Sequence, residues 1–295
     1  MAMPSARTLA LCADDFGGHA GVDGAIVDLV ARGRVTTVSA LVGGATWPVA
    51  GPRLAAFERE RVEIGLHLDL TEAPLGGLRA RRLPALIAAA YLQGLDGNAL
   101  RTQIALQLDA FERVMQRAPD HVDGHQHVHQ LPRVREALLA ELVQRYPQRS
   151  PWLRNTRPPR AAPFKARVID ALGGAALRNA AARQGLPMSA GLLGVHGFRT
   201  DAQGYLALLA RWLQAGQDGD VLMCHPGWSA GLAHDPLRRM RTTEWTVLAG
   251  DAFGALLRRE GVRLAPLSIT RYHGGDGSSL AMSPKLSTKL NHSDT

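Results

Sequence analysis

Short apolar or β-branched runs alternate with amphipathic runs along nearly the whole 295-residue chain, and this constrains the fold more than any other feature. Runs at 8–13, 35–42, 62–70, 121–125, 152–156, 220–224 and 262–267 read as strands. Segments 21–31, 48–59, 98–117, 133–145, 167–183, 205–214 and 245–259 read as helices. Repeated β-α units call for a parallel sheet with helices packed outside it. Seven such units favour a barrel over an open doubly wound sheet. The expected class is therefore α/β: an irregular, about seven-stranded (β/α) barrel forming a single domain over 1–272. Segments 71–97 and 156–163 read as inserted rim loops, and 273–295 as a disordered tail.

The bulk properties exclude several function classes. The net charge is +8, but only Lys165, Lys285 and Lys289 are lysines and the arginines are scattered. No basic run or aromatic-interleaved basic stripe marks a nucleic-acid surface. Cys12 and Cys224 are too few for a disulfide framework, so a reducing, cytoplasmic setting is expected. The first apolar run leads straight into Asp14-Asp15, which is not a signal peptide. No stretch approaches the roughly 18 apolar residues of a membrane span. The oligomeric state stays open, a homodimer included.

Polar chemistry clusters where strands end, which is where parallel α/β folds place their sites. Asp14 and Asp15 follow one buried run, and His67 lies on the polar face of another, opposite Ile64, Leu66 and Leu68. The segment from Asp120 to His129 carries four histidines at His121, His125, His127 and His129. In an extended chain these and Asp123 would share one face, and imidazole is the commonest metal-binding side chain. His125 and His127 could approach one ion as an H-x-H pair. His125 and His129 would lie about 13 Å apart in an extended chain, too far to share an ion unless the chain turns. Cys224-His225-Pro226-Gly227 ends a further strand and offers His225 as a proton donor.

Four motifs together resemble the YdjC-like carbohydrate deacetylase family (ChbG/HpnK type). They are Ala13-Asp14-Asp15-Phe16-Gly17, Gly65-Leu66-His67-Leu68, Asp123-Gly124-His125-Gln126-His127-Val128-His129 and Cys224-His225-Pro226-Gly227, in the family's order from about 7 to 267. The resemblance implies a (β/α) barrel related to the polysaccharide deacetylases. It implies removal of acetyl groups from N-acetylated amino sugars by water activated at one divalent metal ion, Mg²⁺ or Zn²⁺. It further implies Asp15, His67 and His125 as metal ligands, Asp14 as general base and His225 as general acid. Arg154, with His127 and His129, is the implied substrate contact.

Four other readings compete. A deacetylase of a lipid-linked, hopanoid-type amino sugar belongs to the same family. A metal-dependent phosphoesterase on the same barrel would need a cluster of arginines at the pocket. His67-x-Asp69 with a distant histidine also matches the facial triad of non-haem iron oxygenases, but the helices argue against their usual all-β folds. A non-catalytic sugar-binding protein would be expected to lack Asp14 or a ligand, and all are present.

Overall fold

The computed structural model describes residues 6–268. The expected tail at 273–295 lies outside them. The strands are β1 (Arg7–Phe16), β2 (Thr37–Ala40), β3 (Glu63–Leu68), β4 (His121–Gly124), β5 (Trp152–Leu153), β6 (Leu192–Leu193), β7 (Val221–Cys224) and β8 (Val262–Leu264). Every pairing is parallel, in the order β5-β4-β3-β2-β1-β7-β6, with β8 on β1. Leu153 N–H donates to Pro187 O at 2.8 Å and Ser189 N–H to Leu153 O at 3.0 Å. These bonds join β5 to the segment entering β6 and curl the sheet into a (β/α) barrel.

The helices are α1 (Ala20–Ala31), α2 (Trp47–Ala55), α3 (Leu83–Tyr91), α4 (Gly97–Met115), α5 (Val134–Arg145), α6 (Phe164–Ala171), α7 (Gly174–Arg183), α8 (Ala202–Ala215), α9 (Arg238–Ala249) and α10 (Asp251–Arg259). Strand alternation divides the core in two. Leu9, Leu11, Ile64, Leu66, Val122 and Leu222 point outward and pack under the helices. Ala10, Cys12, Trp152, Leu192, Val221 and Met223 point inward and fill one half of the barrel. The other half of the interior is polar, with Glu63, His67, Ser39, His121, Asp123 and Arg154 all buried. Gly65 shares this inward face because a Cβ there would stand 2.4 Å from the His121 ring.

The structure departs from the sequence reading at several points. The 71–97 segment is not loop throughout, since it contains α3, begun by Leu83-Pro84 and carried by an alanine run. The expected 167–183 helix is two helices broken at Gly173, whose φ is +134° and where a Cβ would meet Gln130 O at 2.2 Å. The expected 245–259 helix is likewise two, α9 starting earlier and α10 following Gly250. β6 escaped notice because two residues give no alternation to read.

Candidate metal and catalytic site

Consecutive strand residues normally face opposite ways, yet Asp14 and Asp15 both line the same cavity at the strand ends. The cause is local. The β1–β2 register slips between Ala13 and Phe16, and Asp15 takes φ +70°. This left-handed residue in a bulge turns the second carboxylate back toward the barrel mouth.

Asp15 Oδ1 lies 3.0 Å from His125 Nδ1 and 3.5 Å from His67 Nε2. Its Oδ2 accepts from Arg241 Nη2 at 2.7 Å. One carboxylate oxygen and two imidazole nitrogens thus stand within 4.8 Å of one another. That donor set fits a small divalent cation. His67 is fixed from behind, with Nδ1 2.6 Å from Asp123 Oδ1. A carboxylate behind a histidine is the usual way a metal-binding imidazole is oriented.

Asp14 sits beside this group in a bidentate pair with Arg154, at 2.6 and 2.7 Å. The same guanidinium contacts Asp123, Ser39 Oγ at 3.2 Å and Cys12 Sγ at 3.0 Å. Burial alone would push the Asp14 carboxyl up, but Arg154 outweighs it and holds the group below its ordinary value. Asp15 is held well below its ordinary value in the same way: burial opposes ionisation, and Arg241 and His125 more than reverse it. Burial would lower His67, yet the Asp123 and Asp14 carboxylates bring it up to about 9. Across the cavity His225 Nε2 stands 4.0 Å from Asp14 Oδ2. Burial lowers its pKa, and its backbone N–H donates to Glu244 Oε2 at 2.6 Å.

Asp14, Asp15, His67, His125, His225 and Arg241 line a cavity of about 860 Å³ at the C-terminal ends of the strands. A model of the YdjC-like protein family matches residues 8–259. The chain belongs to the YdjC-like family. It is 31% identical to the human carbohydrate deacetylase, over 90% of this chain and 92% of that one. The chitooligosaccharide deacetylase of Yersinia pestis (strain Pestoides F) is 24% identical over 88% of this chain and 97% of its own. An Enterococcus faecalis V583 crystal structure, of a protein assigned to cellobiose-phosphate cleavage, superposes with a TM-score of 0.67 at 20% identity. It covers 90% of this chain and 99% of that one, and so shares the fold.

Within this YdjC-like site, Asp14, Asp15, His67, His125 and His225 stand together as the sequence suggested. Two expectations need correction. Arg154 does not face a substrate: its side chain is fully buried and committed to Asp14 and Asp123. His129 is also fully buried, its Nε2 3.0 Å from Arg154 O, and burial lowers it to about 4. The shared histidine face does not form either. β4 ends at Gly124, and Gln126 and His127 take φ of 53° and 61° in a tight 3-10 turn over His125–Gln130. The turn leaves His125 in the metal-competent group without His127. His127 does line the cavity, with its Nδ1 buried and unpartnered.

Sequence reasoning placed Asp123 on one face with His121 but gave it no role behind His67, and it missed Arg241, Glu244 and Glu72 as site residues. Arg241 and Glu244 lie on α9 with no local pattern to mark them. Glu244 also faces His196 Nε2 at 3.1 Å. No helix among the described residues is long and apolar enough to cross a membrane.

Proposed function

We propose that this protein is a metal-dependent hydrolase that removes acetyl groups from N-acetylated amino sugars of the chito-oligosaccharide kind. The observation that carries this reading is the convergence of Asp15, His67 and His125 beside the Arg154-held Asp14 and His225, at the floor of one cavity. The names of the family relatives point the same way. The two imidazoles favour Zn²⁺ over Mg²⁺, while the carboxylate oxygen suits either. Bound there, such an ion would supply polarisation of the acetyl carbonyl and a lowered pKa for attacking water.

The chain's own residues then manage protons. Asp14, fixed by both arms of Arg154, accepts the proton that the attacking water gives up as the C–O bond forms. That proton has 4.0 Å to travel to His225. From His225 it reaches the amine nitrogen as the C–N bond breaks. His127, whose ring lines the cavity, is the histidine of the His125–Gln130 turn offered to a sugar hydroxyl.

Acetate release from N,N′-diacetylchitobiose tests this, using EDTA-stripped enzyme with single metals restored. Release that needs metal and is lost in Asp14→Asn is the expected result. No release from folded, metal-loaded protein with any N-acetylglucosamine compound refutes it.

One feature favours a lipid-linked amino sugar within the same chemistry. The cavity wall includes Leu83, Ile169, Val195, Phe198 and Leu232. Phe164, on the helix that supplies Ile169, is 80% exposed. Acetate release from an amphiphilic amino sugar in preference to chitobiose would select that substrate. A phosphoesterase has less support, because Arg241 is the lone arginine among the described lining residues and is already bound to Asp15 and Asp235.

A further inference from the structure

Asp69 ends the run that carries His67 and is buried, yet it does not enter the cavity. Its carboxylate accepts five hydrogen bonds from the loop that follows. Oδ1 takes Thr71 N–H at 2.8 Å, the Thr71 hydroxyl at 3.0 Å and Glu72 N–H at 3.1 Å. Oδ2 takes Glu72 N–H at 3.2 Å and Ala73 N–H at 2.6 Å. The base of the loop is fastened to α4. Gln107 Oε1 accepts Asp69 N–H at 3.0 Å, and Gln107 Nε2 donates to Asp69 O at 2.7 Å. The far end is held by Gln103 Oε1, which accepts Leu75 N–H at 2.7 Å and Gln107 Nε2 at 2.8 Å.

The fastened loop aims Glu72 at the cavity, where its Oε1 lies 3.0 Å from His125 Nε2. The other ring nitrogen of His125 is the one facing Asp15. His67 is arranged the opposite way round, with Nδ1 on Asp123 and Nε2 facing Asp15. An imidazole that donates one N–H to a carboxylate keeps its lone pair on the other nitrogen. Each histidine is therefore backed by a carboxylate, and the nitrogen each turns toward Asp15 is the one a cation held there would take in place of its proton. Glu72 is 57% exposed at its side chain. A free, solvated glutamate would gain little from such a pair, since side-chain entropy and screening offset it. The Asp69 and Gln107 network removes much of that freedom in advance.

We propose that Glu72 is a positioning residue that fixes the ring orientation and tautomer of His125, and that Asp69 sets Glu72 through the loop. The proposal rests on the reading of Asp15, His67 and His125 as the metal-binding group. The test is calorimetric titration of Co²⁺ and Zn²⁺ into metal-free, full-length protein, with the visible Co²⁺ spectrum recorded alongside. Glu72→Ala should weaken metal affinity by about 10-fold or more, in the range found for such supporting carboxylates, and alter the Co²⁺ bands. Glu72→Gln should stay within about threefold of the parent, because its amide oxygen still accepts the Nε2–H. Glu72 is exposed, so both variants are expected to fold with unchanged melting temperature. Equal affinity in parent and Glu72→Ala overturns the proposal, as does a Glu72→Gln no better than Glu72→Ala. No metal binding by the parent would instead overturn the metal-binding reading and this inference with it. The titration needs no substrate, so a failed acetate assay refutes the proposed activity separately.

Discussion

Arg154→Met removes a buried cation while keeping most of its volume. The guanidinium is fully buried against two carboxylates, those of Asp14 and Asp123. At an effective dielectric of 20, each such pair at about 4 Å is worth about 4 kcal/mol of Coulomb energy. Desolvating the arginine offsets several kcal/mol of that. Removing one partner of a buried pair leaves the other charge stranded, a net loss of about 3–5 kcal/mol. For a chain of this size the melting temperature should fall by roughly 6–20 °C. The pH dependence supplies the sharper check. In the folded protein Asp14 is held below, and Asp123 well below, the ordinary carboxyl value: burial opposes ionisation, and Arg154 more than reverses it. Stability from a lowered carboxyl is present above its unfolded pKa and is lost as the pH falls through the folded one. The gap between parent and variant should therefore be widest near neutrality and close below about pH 4. Urea unfolding followed by circular dichroism at pH 7 and at acid pH reads both quantities. A variant within about 1 kcal/mol of the parent at pH 7, or a gap that widens on acidification, would refute the reasoning.

Other predictions concern the barrel floor and the helix layer. Burial pushes the Glu63 carboxyl up to about 7, although Leu267, Ser268 and Trp152 donate to it. A raised carboxyl adds stability below its unfolded pKa and loses it as the pH rises through the folded one. The parent should thus lose about 3 kcal/mol relative to Glu63→Gln between pH 5 and 8, measured by urea unfolding. Gly65→Ala places a methyl against the His121 ring, which stacks on Trp152 at 4.4 Å. It should cost about 1–3 kcal/mol and be visible as a lowered melting temperature. Phe111→Ala removes a fully buried ring stacked on Trp47 at 5.9 Å, and should cost about 3–5 kcal/mol in the same assay.

The alternation of runs determined the fold class, because side-chain period and connection length are local properties of the chain. β3 shows this best. Ile64, Leu66 and Leu68 against Glu63, Gly65 and His67 told in advance which face meets the helices and which meets the barrel interior. The strand-end motifs likewise foretold which residues gather, since parallel strands bring their C-terminal ends to one rim. Their roles needed the tertiary structure. Arg154 reads as a surface-seeking cation until the barrel closes around it, with Asp14 140 residues away in sequence. His125 faces Asp15 while His129 meets Arg154 O because the chain turns after Gly124, through φ values that histidine and glutamine seldom adopt and no local pattern announces. Arg241 reaches Asp15 across 226 residues. Pairings of that span depend on where helices dock, and a sequence carries no local mark of its distant partner. The chain alone decided which faces are apolar and where chemistry collects; barrel closure decided which charges meet, and so which carboxylates stay ionised.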